Sequence, residues 1–109
     1  MEAYNFSLQN TRFDLSLPNW AIAALNELPS HLPILEDRMA AVIDFSRRNF
    51  IEGTGGPFAA GVFERDTGKL VVIGVNCVVP LNCSAAHAEI VALSLAQAML
   101  GTHDLRAEG

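Results

Sequence analysis

The chain has 109 residues, half of them apolar and 17% charged, with two cysteines and a formal net charge of −5 at pH 7, which is the composition of one globular domain. Two cysteines are too few for a disulfide scaffold, and the scattered basic residues, with Arg47-Arg48 as the only adjacent pair, argue against a nucleic-acid surface. No apolar segment is long enough to cross a bilayer and the N-terminus lacks signal-peptide features, so we expect a cytoplasmic protein with reduced thiols.

The first half of the chain predicts two helices. Residues 1–33 are irregular in pattern and are assigned as an N-terminal extension, in which NWAIAALNEL predicts a short helix capped by Asn19. From Ile34 to Ile51, apolar residues recur at helical spacing, and the GTGGP run from Gly53 to Pro57 ends the pattern. We expect this second helix to have a broad apolar face, made of Leu35, Met39, Val42, Ile43, Phe45 and Phe50.

The second half predicts a hairpin and a third helix. The runs FAAGVFER and KLVVIGVNC flank DTG, which is typical of a hairpin turn with Gly68 at a positive φ. The second run is apolar on both faces, so helices are expected to cover both sides of it. Ser84 is expected to cap a helix from Ala85 to Leu100 that ends at Gly101. The order helix, strand, strand, helix predicts an α/β fold.

The triplet His87-Ala88-Glu89 carries the chemistry that the sequence suggests. As an isolated triplet it is weak, because a glutamate in a first turn is favoured by the helix dipole alone. At an open helix end, however, an imidazole is able to ligate a metal and a nearby carboxylate to transfer protons, which is what removal of an amine from an aromatic ring requires. The site is not of the zincin type, since Val91 stands where that motif has its second histidine.

The segment GGPFAAGVFERDTGKLVVIGVNCVVP, followed by HAEI, resembles the zinc-dependent cytidine/deoxycytidylate deaminase superfamily, and most of all its guanine-deaminase-like and nucleoside-deaminase members. The resemblance covers roughly residues 34–106, and Asn76 lies eleven residues before His87, as in that family. It implies a cytidine-deaminase-like three-layer αβα sandwich, of which residues 34–109 would be a partial deaminase domain truncated to helix, strand, strand and helix.

The resemblance also implies roles for individual residues. His87 would be a ligand of Zn²⁺, and Glu89 the general acid/base that delivers protons to the ring nitrogen and the departing amine. Ala88 would offer its backbone N–H to the substrate, Asn76 would bind the edge of the base, and Phe58 would pack at the base pocket. The residues alone leave alternatives open, since Phe58 is equally suited to ordinary core packing and Asn76 to a strand-end turn with a locally bonded side chain.

The sequence departs from the family in one major respect. The Pro-Cys-x-x-Cys motif that supplies two zinc ligands is absent, and Cys77 and Cys83 have a different spacing. Because a catalytic zinc normally has three protein ligands, we expect weak zinc binding and negligible turnover from a truncated guanine deaminase. The exposed edge of the first strand predicts self-association, with a homodimer as the simplest form. The alternative function is a non-catalytic truncated or regulatory module that binds a protein partner through this edge.

Overall fold

The structure is a computed structural model that describes residues 2–108. Its helices are α1 (Asn19–Glu27), α2 (Leu35–Ile51) and α3 (Ala88–Leu100), its strands are β1 (Ala59–Phe63) and β2 (Leu70–Val75), and short 3-10 helices occupy Leu8–Thr11 and Leu105–Glu108. The predicted α/β order of helix, strand, strand and helix is therefore confirmed. Met1 and Gly109, at the outer ends of the two predicted domains, lie outside the described residues.

The two strands form an antiparallel hairpin in which Ala59 is paired with Val75. The register of the pairing shifts between Val62 and Phe63. Gly68 lies in the turn with a φ of 76°, as predicted, and a Cβ there would collide with the carbonyl oxygen of Leu32. The outer edge of β2 is covered near its start, because backbone hydrogen bonds join residues 68–70 to residues 30–32. The outer edge of β1 has no strand partner among residues 2–108.

The core surrounds β2, whose residues from Val72 to Val75 are all buried, in agreement with the prediction of a strand covered on both faces. Ile73 and Val75 pack in one cluster with Phe45 of α2 and Val91 of α3. Two alanines of α1, Ala21 and Ala24, belong to the same cluster. The helix of the predicted N-terminal extension thus contributes directly to the core of residues 34–108.

Most of the broad apolar face predicted for α2 is exposed to solvent. Phe45 is buried, whereas four of the six predicted residues stay more than half exposed, namely Leu35, Met39, Ile43 and Phe50. The physical reason is that a two-stranded sheet offers too narrow a surface to cover a helix of 17 residues. The exposed residues form an apolar strip along α2.

The predicted start of α3 is wrong, because the helix begins at Ala88 with His87 as its N-cap. Its start therefore falls three residues later than Ala85, and Ser84 is not the cap. The cause is a tertiary hydrogen bond, in which the Ala86 carbonyl oxygen accepts the Cys77 N–H (2.9 Å), so that residue 86 extends the pairing at the end of β2 instead of entering the helix.

An N-terminal arm lies outside the packed body, since residues 2–14 are exposed throughout. The Cα radius of gyration is 16.0 Å, whereas a compact domain of this length has about 13 Å. No helix within residues 2–108 combines the length and apolar character needed to cross a membrane.

Candidate functional site

The candidate site is built where β2 ends and α3 begins. The backbone N–H of Asn76 donates to the Phe58 carbonyl oxygen (3.1 Å), and the next N–H, that of Cys77, donates to the Ala86 carbonyl oxygen (2.9 Å). These two bonds hold the chain on either side of the strand end. They bring Phe58, Asn76 and His87 together, although 18 and eleven residues separate them in the sequence.

The GTGGP loop packs directly against this strand end. A Cβ on Gly55 would collide with the Asn76 carbonyl oxygen and would lie 2.7 Å from the side-chain nitrogen of Asn49, so only glycine fits there. The loop carries Phe58 to the start of β1, beside Asn76. Close packing of the loop therefore fixes how far Phe58 lies from the strand end.

A second close approach sets the position of the α3 N-terminus. A Cβ on Gly74 would lie 2.6 Å from the Ala92 nitrogen and 2.9 Å from the Ala88 carbonyl oxygen, so β2 contacts the backbone of the helix. The first turn of α3 leaves the N–H groups of Ala88 and Glu89 without an acceptor among residues 2–108. These donors and the positive end of the helix dipole favour a negative or electron-rich ligand at this end.

The predicted site residues differ in their surroundings. His87 and Glu89 are both exposed, and neither side chain makes a hydrogen bond or ion pair in the described part of the chain. The side-chain oxygen of Asn76 accepts the Val78 N–H (3.2 Å), so the local turn that the sequence left open is present. Its amide nitrogen has no partner among the described residues and is able to donate to a ligand. Phe58 is 61% exposed, so its ring is not packed in the core that the described residues form.

The two thiols do not complete a metal site. Cys77 is 2% exposed, its Sγ donates to the Val75 carbonyl oxygen (3.2 Å), and burial raises the pKa of its thiol, so it stays protonated at neutral pH. Within residues 2–106, whose side chains the structure describes, no three His, Cys, Asp or Glu side chains are grouped so as to hold a metal ion. The side chains of residues 2–106 therefore do not fit a complete zinc centre, for which three ligands are needed.

Asn49 is a residue of the site that sequence reasoning missed. It is 0% exposed and its side chain contacts both the GTGGP loop and the end of β2. A signal was present, because Asn49 lies four residues after Phe45, on the face of α2 that turns to the core. A polar residue at a core position indicates a specific hydrogen-bonding role.

Comparison with known proteins gives matches among solved structures only. No protein-family model and no curated protein matches the chain. The protein NE0047 in complex with 2,6-diaminopurine has a TM-score of 0.81 and 54% identity over 92% of this chain and 52% of that one. A guanine deaminase from Nitrosomonas europaea has a TM-score of 0.80 and 53% identity over 92% of this chain and 54% of that one. A guanine deaminase from Bacillus subtilis has a TM-score of 0.61 and 30% identity over 66% of this chain and 45% of that one.

The chain thus spans about half the length of the solved proteins that it matches. Over that half the agreement is close in both sequence and structure, so the chain has the α/β deaminase-like fold that the sequence predicts, over the part of the fold that it spans.

Proposed function

We propose that this chain forms the base-recognition half of a zinc-dependent hydrolytic deaminase that acts on a nucleobase or nucleoside, with guanine as the favoured base. The observation that carries the proposal is the junction in which paired backbone groups bring Phe58, Asn76 and the start of α3 together. A purine is favoured because similar proteins were solved with 2,6-diaminopurine and with 8-azaguanine.

The junction provides the contacts that a planar base needs. The exposed ring of Phe58 offers a stacking surface, and the amide nitrogen of Asn76 offers a donor for a ring acceptor. The N–H groups of Ala88 and Glu89 point out of the open end of α3 toward electron-rich groups of the ligand. In the overall reaction a ring C–NH₂ and water give a ring C=O and ammonia, and we assign to the Glu89 carboxylate the transfer of protons to the ring nitrogen and the departing amine.

We assign His87 as one ligand of Zn²⁺, and the other ligands have to come from outside residues 2–106, because no further donors are grouped there. A single imidazole binds zinc weakly. Base binding is therefore the activity that we assign to this chain, and turnover requires additional ligands. The chain's two thiols are free, which is consistent with the reducing cytoplasm that we propose as its location.

The test is a calorimetric titration of the purified chain with 2,6-diaminopurine and 8-azaguanine, together with an ammonia assay on guanine in the presence of zinc. We expect binding of the purines without ammonia release. Asn76→Ala should weaken binding about tenfold, because the base loses a directed hydrogen bond, whereas Asn26→Ala, on the exposed surface of α1, should leave it unchanged. A correctly folded chain that binds neither purine at millimolar concentration would refute the proposal.

One observation favours the second candidate function, a module that binds a protein strand. Because the N–H of Asn76 bonds to Phe58 and that of Glu64 bonds to Lys69, the even-numbered residues of this segment face β2. The backbone groups of Ala59, Gly61 and Phe63 therefore face the open edge. Beside this edge lies an apolar groove of about 510 Å³ between α2 and β1.

A second copy of the chain is the simplest occupant of this edge, and the homodimer is part of our proposal. Light scattering after gel filtration should show a dimer at high concentration, and Met39→Lys, in the groove, should shift it to monomer. Glu36→Lys makes the matched control because Glu36 is exposed on the same helix and does not line the groove. A monomer at all concentrations would contradict the homodimer and leave base binding to be judged by its own test.

A further inference from the structure

Asn49 has an unusual environment for an amide side chain. It is the one fully buried polar side chain found within residues 2–106, and it lies near the end of α2. Burial of an amide costs free energy unless its donors and acceptor are all satisfied. The hydrogen-bond partners of Asn49 therefore show which parts of the structure its side chain holds together.

The donors of Asn49 join two separate parts of the candidate site. Its Nδ2 donates to the carbonyl oxygens of Gly56 (2.9 Å) and Asn76 (3.0 Å). Carbonyl oxygens only accept, so the orientation of the amide is determined by its partners. One side chain thus bonds both to the loop that carries Phe58 and to the strand end that carries Asn76.

The acceptor of Asn49 extends this connection to α1. Its Oδ1 accepts the hydroxyl hydrogen of Thr54 (2.7 Å), and the Thr54 Oγ1 in turn accepts the indole N–H of Trp20 (2.8 Å). Because a hydroxyl has a single hydrogen, donation to Asn49 leaves its oxygen to accept from Trp20. The Trp20 ring also packs on Phe45, with 5.5 Å between ring centroids.

We propose that Asn49 is a positioning residue for base recognition and that Trp20 and Thr54 couple α1 to the same site. Both peptide groups that flank Asn76 are then held, its N–H by the Phe58 carbonyl and its C=O by Asn49. The inference rests on the proposed function for the identity of the ligand. The positioning itself rests on the hydrogen bonds alone, so the two are separable by experiment.

Asn49→Asp is the sharpest perturbation, because it keeps the size of the side chain and replaces the donating NH₂ by an oxygen that faces two carbonyl oxygens. Asn26→Asp, on the exposed surface of α1, is the matched control. Amide hydrogen exchange is followed by NMR at Asn76 and Val78, and at Ala96 inside α3. We expect exchange about tenfold faster at Asn76 and Val78, a smaller change at Ala96, and no change in the control.

An equal acceleration at all three amides would show that Asn49 only stabilises the fold, and it would overturn the positioning role. Unchanged exchange at Asn76 would overturn it as well. The link to α1 has its own pair of variants. Thr54→Val removes the hydroxyl and should accelerate exchange at Asn76, whereas Thr54→Ser retains the hydroxyl and should not.

Calorimetric titration with 2,6-diaminopurine then separates the inference from the proposed function. Asn49→Asp should weaken binding about tenfold and Asn26→Asp should not. Equal binding by wild type and Asn49→Asp would overturn the role of Asn49 in recognition while the proposed function stands. If the wild-type chain binds no purine but exchange rises locally at Asn76, the proposed function fails and Asn49 remains the residue that positions this junction.

Discussion

Gly74→Ala is the substitution that tests most directly whether β2 sets the position of the α3 N-terminus. The added methyl carbon would lie 2.6 Å from the Ala92 nitrogen and 2.9 Å from both the Ala92 Cα and the Ala88 carbonyl oxygen. All three are backbone atoms, so no side-chain rotation relieves the contact, and the helix has to move away from the strand. Overpacking of this kind costs about 1–3 kcal/mol.

The sign of the effect makes this prediction decisive. Alanine suits a strand better than glycine and restricts the unfolded chain, so without the close approach it would stabilise the protein by about 0.4–1 kcal/mol. Urea unfolding followed by circular dichroism should instead show a loss of about 2 kcal/mol, which lowers the midpoint by about 1 M at an m-value of about 2 kcal/mol/M. An unchanged or raised midpoint would refute the close packing of β2 against the first turn of α3.

Three further predictions test other features. Phe58→Ala should change stability by less than about 0.5 kcal/mol, because the ring is exposed, and should weaken 2,6-diaminopurine binding about tenfold in a titration. Gly68→Ala should destabilise more than Gly53→Ala in urea unfolding, since both have positive φ but only position 68 also meets the Leu32 carbonyl. Burial raises the pKa of the Cys77 thiol, so the folded chain keeps a proton that the unfolded chain loses above about pH 8.5. Stability should therefore fall as the pH rises beyond that value, by a smaller amount in Cys77→Ala, and equal falls in both chains would contradict this.

Local patterns in the sequence were sufficient for the elements whose formation depends on local interactions. The spacing of apolar residues predicted α2 to within one residue at its start, and DTG predicted the hairpin turn at Gly68. The start of α3 failed because local preference favoured Ser84 as a cap, whereas a bond from Cys77 to Ala86 keeps that stretch out of the helix. No local pattern contains that bond, since it joins residues of two different elements.

The residues of the candidate site likewise fall into those that a local motif predicts and those whose role depends on long-range contacts. His87 and Glu89 were identified from a short motif and a family resemblance, which need no knowledge of the tertiary structure. Asn49 was missed because its two carbonyl partners lie seven and 27 residues away in the chain. The contribution of Trp20 was missed for the same reason, since the partner of its indole lies 34 residues away. Positioning residues act through long-range contacts, and those contacts appear only in the folded chain.

The hydrogen bonds that hold Asn76 and the open edge at which another strand could be added lie on opposite sides of β1. Both peptide groups that flank Asn76 are bonded to residues of this chain, so their position does not depend on any partner. The unpaired backbone groups of β1 lie on its other edge, on residues that alternate with those bonded to β2. A strand added at that edge, whether from a second copy or from another chain, would leave the bonds of Asn76 in place. If the chain binds purines as proposed, that binding measures the geometry of the junction itself, and its dependence on Asn49 is expected to be the same in the presence and absence of such a partner.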